Sequence, residues 1–91
     1  MKNTTNLTLV KGQYTAEEAK EILMDLFHSK INFHEVKNFS NKERFGQDHE
    51  HSIKRMTELR KNIESFSKEL GLAGESNKTV SIESMVVVTI D

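Results

Sequence analysis

Phe39-Ser40-Asn41-Lys42-Glu43-Arg44-Phe45-Gly46-Gln47-Asp48 lies between two long amphipathic stretches, and its reading decides the fold. Ser40 and Glu43 have the spacing of a capping box, and Gly46 supplies a residue that readily adopts the left-handed conformation. The segment 39–48 therefore predicts a bend containing one helical turn, with Asp48 as N-cap of the next helix. The chain reverses here, so the segments on either side pack as an antiparallel hairpin.

Upstream of the bend, Thr15-Ala16-Glu17-Glu18 is a second capping box, with carboxylates at the positive end of the helix dipole. The chain contains no proline, so nothing interrupts a first helix over 15–38. On a helical wheel Ala19, Ile22, Leu23, Leu26, Phe27 and Phe33 share one face. Ala16, Ile31 and His34 border it on one side and Val36 on the other. That arc is wider than one partner helix covers, which predicts contact with two bodies: the hairpin partner, and either a sheet or another subunit.

Downstream, Met56, Leu59, Ile63, Phe66 and Leu70 step by three and four, a narrow coiled-coil-like seam that Ile53 extends toward the bend. A second helix is expected over 49–70, with Gly71 closing it and Leu72 contacting its last turn. Lys54 with Glu58, Arg60 with Glu64 and Glu64 with Lys68 are expected i,i+4 ion pairs on its wet side.

Each end of the chain reads as a strand: 7–14, rich in β-formers, and 79–91, where Val80, Ile82, Ser84, Val86, Val88 and Ile90 alternate onto one face. Since the hairpin returns to its starting end, the two strands can pair antiparallel. The fold class is therefore α+β, a single β-α-α-β domain over 1–91. The strands differ in length, and Met85-Val86-Val87-Val88 is apolar on both faces. The overhang predicts an edge that a second copy would cover.

Composition agrees with an incomplete unit. Hydrophobic residues make up 35% of 91 residues, with 4 glycines, below the ~45–50% apolar content, glycine included, of ordinary soluble domains. So short a chain has little core to offset the entropy of folding, and homo-oligomerisation is expected. The net charge of -1 argues against a general nucleic-acid binder, whose phosphate contacts require excess cations. The absence of cysteine removes disulfides, thiol nucleophiles and thiolate zinc sites, and fits a reducing, cytoplasmic setting. Met1 to Val10 lacks the apolar core of a secretory leader, and no run reaches membrane-spanning length. The sequon-like Asn3-Thr4-Thr5 and Asn6-Leu7-Thr8 then carry no meaning.

Chemistry-bearing groups gather near the bend. His49 and His51 stand beside Asp48 and Glu50, but residues two apart on a helix point about 200° from one another. No His-x-x-x-His spacing is present, so neither a metal site nor a cofactor is expected. His34, on the apolar border, reads as a hydrogen-bonded packing residue. The serines lack an elbow or triad context, and no glycine-rich phosphate loop occurs, so no catalytic residue is assigned.

The cations Lys42, Arg44, Lys54, Arg55, Arg60 and Lys61 mostly read as a solvated face. Arg44, set between Phe39 and Phe45, is different: a guanidinium there can hold a phosphate bidentately, and the rings can stack on a base. Arg44, Lys42, Phe45, Phe39, His49 and His51 are the candidate ligand-binding residues.

The runs Ile31-Asn32-Phe33-His34, Lys37-Asn38-Phe39-Ser40 and Glu43-Arg44-Phe45-Gly46 resemble a core of small uncharacterised bacterial and phage proteins. The resemblance covers about half of the chain and implies the hairpin. In architecture the chain is also similar to the compact oligomeric hairpin proteins with which phages sequester cyclic-nucleotide immune signals. That similarity implies a non-enzymatic binder of a small anionic, nucleotide-like ligand, with the protein itself as partner. The alternative is a protein-interaction module that docks a partner through the second helix's seam or the C-terminal strand.

Overall fold

A computed structural model describes residues 3–91; Met1 and Lys2, which open the segment read as lacking a leader, lie outside it. The elements run β1 (Asn3–Tyr14), α1 (Ala16–Phe45), α2 (Glu50–Glu75) and β2 (Val80–Ile90), with β1 and β2 forming a two-stranded antiparallel sheet. The β-α-α-β order and helical hairpin expected from the sequence are present.

The boundaries differ in instructive ways. Thr15 does cap α1: its Oγ1 accepts from the Glu18 amide at 3.1 Å, and Glu18 Oε1 accepts from the Thr15 amide at 2.9 Å. The helix then continues past residue 38, carrying Ser40 and Glu43 in its interior rather than in a separate capped turn. It stops at Gly46, whose φ of 69° and amide bond to the Lys42 carbonyl at 2.8 Å turn the chain out of the helix.

Asp48 is not the N-cap of α2. His49 takes that place, its Nδ1 accepting from the Ser52 amide at 3.2 Å. Asn38, reaching across from α1, accepts from the His49 amide at 2.6 Å and donates to Asp48 at 3.2 Å. Residue 38, expected to end the first helix, is instead the clamp that fixes the start of the second.

The helix α2 runs through Gly71 to Glu75. Its left-handed residue is Asn77, with φ 54°. Lys78 N donates to Ala73 O at 3.0 Å and Asn77 N to Gly74 O at 3.2 Å, the paired bonds of a Schellman motif. Leu72 consequently stays exposed. The i,i+4 pairs are replaced as well: Arg55 bonds Glu58 at 2.6 Å, and Arg60 reaches Glu35 across the hairpin at 3.3 Å.

The strands are matched in length, contrary to the expected overhang: pairing extends from Asn3↔Ile90 to Tyr14↔Val80. Leu9 has no partner between Thr8↔Met85 and Val10↔Ser84, a bulge that adds one residue to β1. The bulge shifts the pleat, so Leu7 shares a face with Val86 and with the inward residues Val10, Ile82, Tyr14 and Val80.

Two small cores result. Ala19, Leu70 and Ile82 are buried where the sheet meets the helices, flanked by Val10, Tyr14, Leu23, Phe66 and Val80. Ile31, Met56 and Leu59 are buried within the hairpin, flanked by Phe27 and Ile63. Phe27 and Phe66 join them edge to face at 5.2 Å. The α2 seam is thus spent on α1, except for Ile53, which stays exposed.

The molecule is extended and thin, 50 × 35 × 14 Å, with a radius of gyration of 16.6 Å; a compact chain of this length has about 12 Å. Its accessible surface is 7210 Å², against roughly 5,400 Å² for a compact monomer of this mass. The far half of the sheet exposes Leu7, Met85, Val87 and Ile90, and α1 exposes Phe33 and Val36. The sheet is the second body that the wide arc of α1 called for, but it covers only the N-terminal part of the helix, through Ala19 and Leu23, and leaves Phe33 and Val36 bare.

Candidate functional site

Because α1 is continuous through Phe45, successive residues from 39 to 45 are turned by about 100° each around its axis. The six candidate residues therefore do not converge. Arg44, Phe45 and His49 line one depression of about 200 Å³ with Lys37, Ser40 and Asn41. Lys42, about 200° around the helix from Arg44, lines a separate open groove of about 610 Å³ with Gly46, Gln47, Asp48, Glu50, Ile53 and Lys54. Phe39 lines neither and is 64% exposed. His51 lines neither and stands with its ring 6.3 Å from those of His34 and His49.

Charge separates the two cations further. Lys42 Nζ is 3.3 Å from Asp48, whose carboxyl is held below its ordinary range by hydrogen bonds from Asn38 and Lys42. Arg44 and Lys37 have no carboxylate partner among the described residues. A neutralised lysine offers an incoming anion little, whereas unpaired cations do.

Between the helices, beneath this surface, lies a polar network that the sequence reading did not assemble. Ser52 is 0% exposed, and its Oγ stands 2.8 Å from His49 Nδ1 and 3.2 Å from His34 Nδ1. The Ser52 amide donates to His49 Nδ1, so that nitrogen carries the lone pair and receives the hydroxyl hydrogen as well. Ser52 Oγ then accepts from His34 Nδ1–H. His34 Nε2 is left as a buried lone pair without a partner.

A serine between two imidazoles invites a nucleophile reading, but no substrate reaches a side chain with no exposed surface. The network is structural: it caps α2 and ties it to α1. Protonation of His34 is disfavoured, first by burial and then by Lys30, His51, Arg55 and Lys37 around it, and its pKa lies below the ordinary 6.5.

That depression has a sign. Below pH 6.5 the unfolded chain takes up a proton that the folded chain resists, so stability falls as pH drops from about 7.5 to about 5.5. The urea midpoint of the wild type is expected to decrease over that interval, and that of His34→Gln to change less. Equal pH slopes for the two proteins would remove His34 from this role.

On the outer face of α1, Lys30 Nζ lies 4.7 Å and Lys37 Nζ 5.9 Å from the centre of the Phe33 ring. Their spacing of three and four was the available signal for this cluster. Among the described residues, no group of three or more His, Cys, Asp or Glu side chains is placed to share a metal ion. No helix among them is long and apolar enough to cross a membrane. No protein-family model matches the sequence, and no curated protein or solved structure is significantly similar to it.

Proposed function

We propose that the protein is a non-enzymatic, homo-oligomeric binding protein that captures a small anionic, nucleotide-like ligand beside the turn of its helical hairpin. The observation that supports this most is the wall formed by Lys37, Arg44, Phe45 and His49. It combines two cations lacking carboxylate partners among the described residues with a ring that is 68% exposed. Ser40 and Asn41 add hydrogen-bonding groups on the same wall. Guanidinium and ammonium suit phosphate oxygens, and an exposed phenyl suits the face of a base.

At about 200 Å³, the depression is smaller than the ~300–1,000 Å³ of pockets that enclose a small molecule. One copy therefore supplies part of a wall, and a second copy supplies the rest. The resemblance to phage proteins that sequester immune signals makes cyclic nucleotides the first ligands to test.

Titration calorimetry with a panel of cyclic mono- and dinucleotides is expected to give saturable binding, with the ligand recovered unchanged after heat denaturation. Arg44→Ala should weaken binding about 10- to 150-fold, the loss of a charge-assisted contact worth roughly 1.5–3 kcal/mol, with oligomeric state intact. Converted ligand would mean an enzyme.

The second reading is a module that binds another protein. With the α2 seam occupied by α1, it narrows to the outer edge of β2, where Met85 and Val87 are exposed beside unpaired backbone groups. On that reading Arg44→Ala changes nothing.

A further inference from the structure

We propose that the outer face of α1 packs in parallel against the same face of a second copy, bringing the two turn ends side by side. The inference rests on the homo-oligomeric reading above and specifies its interface. Ile22, Leu26, Ser29, Phe33, Val36 and Ser40 succeed one another in steps of four and three, the spacing of a coiled-coil seam. This seam is distinct from the one that packs on α2. Ile22 and Leu26 are half-buried, while Phe33 is 52% and Val36 58% exposed.

The flanks of the seam choose the direction. One side carries Lys30, Lys37 and Arg44; the other carries Glu18, Asp25, Asn32 and Phe39. In a parallel pair each flank faces the opposite flank of the other copy, so Asp25 meets the partner's Lys30, Asn32 the partner's Lys37, and Phe39 the partner's Arg44. In an antiparallel pair each flank faces itself, setting the three cations against their own kind. Phe39, which serves neither depression of the single chain, acquires a role only in the parallel arrangement.

Surface area is sufficient. The accessible 7210 Å² exceeds that of a compact monomer by roughly 1,800 Å², more than the ~800 Å² each partner gives to a standard interface. In the single chain the ammonium groups of Lys30 and Lys37 lie over the Phe33 ring; in the pair the partner's side chains take that place, and the two lysines turn their charges outward to the rim while their stems line it. With both turn ends on the same side, Lys37 and Arg44 of the two copies stand around one axis, and each copy's Phe39 closes on the other's Arg44.

The chain contains no cysteine, so single-cysteine variants of the full-length protein report this geometry cleanly. Ser29 and Ser40 are exposed in the single chain, and exchanging them leaves its fold in place, checked by circular dichroism under reducing conditions. Ser29→Cys and Ser40→Cys are each expected to form a covalent dimer on mild oxidation. Lys61→Cys, on the exposed side of α2, is expected to stay uncrosslinked.

Cross-linking at Ser29 alone would overturn the parallel direction, because an antiparallel pair brings like residues together only near its midpoint. A dimer by light scattering that cross-links at neither position would place the contact elsewhere and overturn this proposal while leaving the homo-oligomer standing. A monomer at tens of micromolar would overturn both. None of these readouts requires a bound ligand.

Discussion

Leu59→Ala is expected to lower the free energy of unfolding by about 2–5 kcal/mol, the range for emptying a buried leucine site. Among the described residues, Leu59 shares the mid-hairpin core with buried Ile31 and Met56 and the flanking Phe27 and Ile63. A cavity there has few neighbours to collapse into it, and domains as small as this one have little stability to lose. Urea denaturation followed by circular dichroism should show a midpoint far below the wild type's, with loss of helix even without denaturant at the upper end of the range. A midpoint near the wild type's would mean that the hairpin is not held by this core.

Phe33→Asp should act on assembly and spare the fold. The side chain lies on the outer face of α1, more than half exposed in the single chain and outside both apolar cores, so the change costs the hairpin no more than an edge contact with the His34 ring. In a parallel pair it faces its own counterpart, and the variant would place two carboxylates together on a desolvated seam. Central interface residues cost about 2–4 kcal/mol when lost, or roughly 30- to 1,000-fold in the dissociation constant. Sedimentation equilibrium should find monomers at concentrations where the wild type is assembled, with helical content unchanged. An oligomer of undiminished affinity would exclude this face from the interface.

Much of the fold could be read from local spacing because local physics decides it. Thr15 and Glu18 cap α1 through bonds spanning three residues, and Met56 to Leu70 form a seam because apolar steps of three and four bury together on any neighbouring helix. The errors fell where a distant residue decides the outcome. Ser40 and Glu43 carry a valid capping pattern, but no break precedes them, and Asn38 is needed across the turn to hold the His49 amide. Gly71 could end a helix, yet the chain has to travel another turn before Asn77 directs Lys78 toward the sheet. The bulge at Leu9 follows from matching β1 to β2 and leaves no mark in either strand alone.

The candidate site was legible in composition and not in geometry. Cations, rings and histidines do crowd the turn, but whether neighbours such as Lys42 and Arg44 act together depends on whether the segment is a loop or a helix. A helix separates them, and Asp48 then takes Lys42 while Arg44 stays unpaired. The Ser52 network was hidden for a related reason: His34 and Ser52 are 18 residues apart and meet only when the hairpin closes.

On this reading the chain is one subunit of a homo-oligomer that holds a small anionic ligand at its turn end. Native mass spectrometry of the protein purified from its own host addresses both halves in one spectrum. The expected species is a dimer or higher multiple of the 10.5 kDa chain, carrying added mass that collisional activation releases as an intact small anion and that Arg44→Ala lacks. A bare monomer across the micromolar range would contradict it.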